Sequence, residues 1–154
     1  QDYLAHKTEI NNKLASIIID RVSHVCDQIL QLDWTKPNDL GKPNEPIAQF
    51  TNNMLQLHHV LKKYLDSEDI DFIYGKIFEH VKIKIPVYYG NIEIQSEVAA
   101  KKFKGDLNYL IKASKKHIKL TTSHQNDMED ALVYLIKLKC DPFLAAPVDE
   151  NGKQ

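Results

Sequence analysis

The sequence predicts an all-α fold, an elongated bundle of about five helices. Three observations carry that expectation. Apolar residues recur at alternating steps of three and four, which gathers them on one stripe of a helix. The breaks between these stripes hold prolines or helix-capping Asp, Ser and Thr residues. Only five glycines occur in 154 residues, few for a turn-rich β fold.

The first element runs from Tyr3 to Leu32. Ile10, Leu14, Ile17, Ile18, Val22, Val25, Ile29 and Leu32 form its stripe, and Asp20, Arg21, His24, Asp27 and Gln28 fill the other side. Thirty helical residues extend about 45 Å, the length of a rod in a bundle. Trp34 is expected to pack over the bundle's end. Thr35 to Pro46 holds three prolines and Gly41, so it reads as an exposed linker in which only Leu40 can dock locally.

The central stretch, Ile47 to Ile85, is expected to form a helical hairpin whose halves pack on each other. Ile47, Phe50, Met54, Leu57, Leu61 and Tyr64 mark one helix. Ile70, Ile73, Tyr74, Ile77, Phe78, Val81 and Ile85 mark the next, and Asp66-Ser67-Glu68-Asp69 between them suits its start. Lys82 to Gln95 has two readings. The stripe extends to Ile85 and Pro86 then ends or kinks the helix, or the alternation through Tyr89 makes a hairpin turning at Gly90-Asn91. Helix followed by loop is the favoured one.

Ser96 caps a fourth helix running to Leu120, with Ala99, Phe103, Leu107, Leu110, Ser114 and Ile118 facing inward. Thr121-Thr122-Ser123 caps a fifth. Its acids, Asp127, Glu129 and Asp130, come early and Lys137 and Lys139 late, matching the helix dipole. Met128, Leu132, Leu135, Ile136, Lys139 and Cys140 trace its inner edge, and Pro142 is expected to end it. Residues 1–140 thus read as one helical-bundle domain and 141–154 as a flexible tail.

Composition narrows the function. The net charge of −1 gives no reason to expect nucleic acid as a partner. There is no signal peptide and no apolar run of bilayer length. The start at Gln1 suggests a fragment of a longer protein. Cys26 and Cys140 read as reduced, half-buried thiols of a cytosolic protein. His58 and His59 point about 100° apart on a helix, which suits no metal. Asp66, Glu68, Asp69 and Asp71 are explained by capping. No phosphate-cradling loop or nucleophile elbow occurs. The expectation is no catalytic residues, no cofactor or metal and no small-molecule substrate. One surface feature stands out. Lys101, Lys104, Lys112, Lys115 and Lys119 share the outer side of the fourth helix, with only Asp106 as an acid inside the stretch. They read either as a solvated side that keeps the protein soluble or as a candidate surface for anionic lipid or an acidic partner.

The order of motifs adds a family resemblance. Lys13-Leu14-Ala15-Ser16-Ile17-Ile18, Leu32-Asp33-Trp34, the linker to Pro46, Leu57-His58, Leu65 with Ser67-Glu68, and Phe72-Ile73-Tyr74 follow one another. Phe103-Lys104-Gly105-Asp106-Leu107 then falls within Val98 to Leu110. From about Lys13 to Ala113 this resembles the C-terminal domain of vacuolar protein sorting-associated protein fifty-four, a subunit of the Golgi-associated retrograde protein (GARP) tethering complex. Another GARP or exocyst-like subunit is the second choice. Asp66 stands where that family has proline, Pro86 lies inside the third helix, and the C-terminal end is longer. The resemblance implies the rod-like bundle of multisubunit tethers and no catalysis. It implies a peripheral protein on the cytosolic face of the trans-Golgi network and endosomes. Vesicle tethering in endosome-to-Golgi retrograde transport would be its task, and the other complex subunits and an endosomal membrane or membrane-bound protein its partners. A purely structural end-piece of the subunit is the alternative.

Overall fold

The computed structural model describes residues 2–38 and 42–144. Five helices follow in order: α1 (Asp2–Ile29), α2 (Glu45–Leu61), α3 (Ser67–Tyr89), α4 (Glu97–His117) and α5 (His124–Leu144). Among the described residues there is no strand. The expected docking of Leu40 and the tail beyond Leu144 lie outside the described residues.

α3 and α4 start where the chain offers side-chain partners for their free N–H groups. The Asp66 carboxylate accepts from Asp69 N at 2.9 Å to start α3, and Ser96 Oγ accepts from Ala99 N at 3.1 Å to start α4. Pro46 does not close the linker as expected. It sits in the first turn of α2 and is buried, because proline's missing N–H costs nothing there.

All five helices feed one core. Val22, Ile29, Met54, Ile73, Phe78, Phe103, Leu107 and Leu132 are almost wholly inaccessible within it. Burying a side chain of this size stabilises the fold by roughly 1.5–3 kcal/mol against leaving it in water. The packing order differs from the expected hairpin. α3 lies along α1 and α5, α4 along α5 and α2, and α2 along α1. So α2 and α3 are not each other's main partners, although Tyr74 of α3 donates its hydroxyl to Met54 O of α2 at 2.7 Å.

Three further expectations change. Tyr64 lies past the end of α2 and is 79% exposed, while His58 joins the buried side against the edge of Tyr74. Ile10 and Ile17 of α1 are exposed, and Ala15 and Asn11 take inner positions. Lys82 to Gln95 takes the favoured reading, helix then loop, with α3 running on through Pro86 to Tyr89. Proline inside a helix costs about 3 kcal/mol. The last turn is held by fully buried Tyr89, and Pro86 O still accepts from Gly90 N. Pro142 likewise does not end α5, which continues to Leu144. The bond Pro142 forgoes would have gone to the carbonyl of Leu138, on the exposed side where water can serve.

Candidate interaction surface around the fourth helix

α4 owes its orientation to its inner stripe. Ala99, Phe103, Leu107, Leu110 and Ser114 are buried as their spacing predicts, as is Ile118 just beyond the helix, with Ala100 and Ile111 added. Asp106 is buried too. Its Oδ1 accepts from Asn44 N at 2.7 Å, and its Oδ2 accepts from Asn44 Nδ2 and from Tyr89 Oη, each at 2.9 Å. Burial pushes the carboxyl above its usual range, while the bonds from Asn44 and Tyr89 pull it back. Asn44 is the N-cap of α2, yet its side chain makes no cap bond because Asp106 holds it.

The other end of the α1–α2 connection is fixed by the same helix. Lys102 Nζ donates to Asp33 O at 2.7 Å and lies over the Trp34 ring, 5.5 Å from its centroid. Trp34 donates Nε1–H to Ile29 O at 3.0 Å and packs edge-on against Tyr89 and at a tilt against Phe103. It therefore covers the end of α1, as the sequence suggests. Lys102 and Asp106 of α4 thus hold the connection at both ends.

With that side committed inward, Lys101, Lys104, Lys112, Lys115 and Lys119 are all exposed. Lys101 lies 3.6 Å from Glu97 and Lys115 3.3 Å from Glu129. Such exposed pairs are worth little. Lys104, Lys112 and Lys119 have no ion-pair partner among the described residues. The one acid the sequence places amid the lysines, Asp106, is withdrawn into the core, so the outer side is more uniformly cationic than the sequence implies.

At the far end of α4 the lysine flank runs into a cleft that the sequence does not reveal. Its volume is about 440 Å³, and His58 from α2, Lys62 just past the end of α2, Ser67 and Asp71 from α3, and His117 and Lys119 line it. A neighbouring depression of about 430 Å³ shares His58, Lys62 and His117 and adds His59. Burial first, then the charges of Lys62, His117 and His59, hold His58 below the usual histidine range.

Reactive groups elsewhere are quenched. Cys26 and Cys140 are buried free thiols, more enclosed than the half-burial expected, and burial pushes them up to about 12 and about 11 respectively. Among the described residues no three His, Cys, Asp or Glu side chains gather as a metal site. No described helix is long and apolar enough to cross a membrane.

Over 73 residues, 47% of this chain, the sequence is 29% identical to Vacuolar protein sorting-associated protein 54 of Schizosaccharomyces pombe (strain 972 / ATCC 24843). The matched stretch is 7% of that relative's length, so the chain spans a small part of it. No family model matches the chain, and no solved structure matches it. The similarity is distant and partial, and it points to the same protein as the motif order from Lys13 to Ala113.

Proposed function

We propose that this helical bundle is a non-enzymatic domain of a vesicle-tethering complex subunit that acts in retrograde transport from endosomes to the Golgi. Its task in that reading is recruitment to the endosomal membrane. The partial similarity to Vacuolar protein sorting-associated protein 54 supports the tether assignment. The single structural observation that carries the recruitment role is the exposure of Lys101, Lys104, Lys112 and Lys115 on one side of α4, with exposed Lys119 just beyond its end. Each lysine near an anionic bilayer contributes on the order of 1 kcal/mol. The apolar stripe of α4 is spent on the core, so the contact is electrostatic and does not insert.

Replacing Lys101, Lys104, Lys112 and Lys115 with glutamate tests this. Binding to vesicles rich in phosphatidylserine should collapse, and endosomal recruitment of the full subunit should fall. Unchanged association removes the flank from the mechanism.

A second reading has its own support. Lys101 and Lys115 already face Glu97 and Glu129, as they would on a solvated side with no partner. The domain would then be a structural end-piece of the subunit. In that case its removal lowers subunit abundance while recruitment per folded molecule stays the same.

A further inference from the structure

The cleft between the end of α2 and the end of α4 is a separate feature from the flank, sharing only Lys119 with it. We propose that it binds a phosphate monoester carried on the headgroup of a membrane lipid. His58, Lys62, His117 and Lys119 converge on one concavity from two helices and the loop after α4, and His59 stands beside them. Lys62 and Lys119 supply its positive charge, since burial favours the neutral form of His58, and among the described residues no ion pair relieves either lysine.

One carboxylate stands among the lining residues. Asp71, the carboxylate on the wall, takes the backbone N–H and hydroxyl of Thr121. Ser67, the first residue of α3, lines the cleft as well. At about 440 Å³ the space falls in the range of small-ligand sites. It is wide enough for a sugar-phosphate group and open to solvent on the side of Lys62 and Lys119, both exposed.

A lipid headgroup is the favoured source because the cleft continues the lysine flank at Lys119. A bilayer met by the flank would present its headgroups there. The recruitment reading motivates this choice, but phosphate binding by the cleft stands without it.

The test uses the whole chain, with soluble inositol 1,4,5-trisphosphate, inorganic phosphate, a phosphoserine peptide and two vesicle types as probes. The vesicles carry either phosphatidylinositol phosphate or phosphatidylserine at matched charge. Proton–nitrogen spectra of the histidines should show inositol trisphosphate shifting His58 and His117. Lys62→Glu with Lys119→Glu should weaken this binding roughly tenfold or more and abolish any preference for phosphoinositide vesicles. Lys101→Glu with Lys104→Glu and Lys112→Glu should leave soluble binding within about twofold and reduce attachment to both vesicle types, because these charges lie on the flank.

Loss of vesicle attachment in the flank variant with soluble binding intact thus reports on the flank alone. The cleft proposal is overturned if inositol trisphosphate moves neither histidine, or if the Lys62/Lys119 reversal leaves its binding intact. It is also overturned as a lipid site if inorganic phosphate or the phosphoserine peptide binds more tightly than inositol trisphosphate.

Discussion

Asp106→Asn isolates the energetic role of the one buried carboxylate. The substitution conserves shape and removes acceptor capacity. If the amide oxygen keeps the bond from Asn44 N, the new amide NH2 faces Asn44 Nδ2, a donor against a donor, and Tyr89 must turn its hydroxyl to accept. Hydrogen bonds to charged acceptors contribute about 1.5–3 kcal/mol each, and an orphaned buried donor costs about 1–3 kcal/mol. Removing the Asp106 charge also removes its own burial penalty, which the upward shift of its pKa records. The balance is a loss of roughly 3 kcal/mol, or a melting point lowered by about 6–12 °C for a domain of this size. Urea denaturation at neutral pH measures it. Tyr89→Phe removes a single bond and should cost about 1–2 kcal/mol. The double variant should lose less than the sum, since both changes strike one network. Amide exchange at Asn44 should accelerate in Asp106→Asn before global unfolding, because α2 loses its tie to α4. An Asp106→Asn protein within about 0.5 kcal/mol of wild type, with Asn44 exchange unchanged, refutes the claim that this carboxylate holds the connection.

Three other outcomes are expected. Gly105→Ala should stabilise the protein by about 0.5–1 kcal/mol in the same urea assay, because a Cβ there meets nothing within 4 Å and alanine is the better helix former. Ser114→Ala should leave stability unchanged or raise it by about 1 kcal/mol in thermal melts, because Ser114 Oγ is buried without a partner. The pH dependence should carry a histidine component. Burial, foremost, and nearby charges hold His58 and His80 below their unfolded value of 6.5. Their neutral forms are therefore favoured in the fold, so they cost nothing well above 6.5. They destabilise progressively as pH falls below it, until the folded forms protonate as well. His80→Gln should flatten the stability curve between pH 6.5 and the onset of carboxylate titration.

The inner stripe of α4 was legible because its period is unbroken and each apolar residue had only one place to go. The burial of Asp106 was missed although the same period marks it. It lies three residues after Phe103 and four before Leu110, on the stripe itself, but an acid amid lysines reads as surface. Its partner Asn44 carried no such signal, since nothing local marks a linker asparagine for burial by a helix about sixty residues later. The stripes of α1 and α2 were only partly right. Periodicity gives a face and not the extent to which neighbours cover it, so Ile10, Ile17 and Tyr64 were assigned to a core that never reaches them. Pro86 and Pro142 misled because local propensity argues for a stop, whereas buried Tyr89 and Cys140 hold the helices together around them. The cleft of His58, Lys62, His117 and Lys119 could not be seen at all, because its residues come from segments joined only by packing.

The two faces of α4 depend on one another. Asp106 is the only carboxylate in the helix after Glu97. Had it stayed at the surface it would offset one of the flank lysines. Drawn inward to Asn44 and Tyr89, it both fixes the start of α2 and leaves the outer side to lysine. The position of α2 in turn sets where His58 and Lys62 meet His117 and Lys119. Loosening the Asn44 tie should therefore disturb the cleft through α2 while leaving the flank charges where they are. Asp106→Asn thus separates the two surfaces: inositol trisphosphate binding should weaken, and attachment to phosphatidylserine vesicles should persist as long as the bundle stays folded. Equal loss of both below the melting transition would show that the flank and the cleft are a single surface.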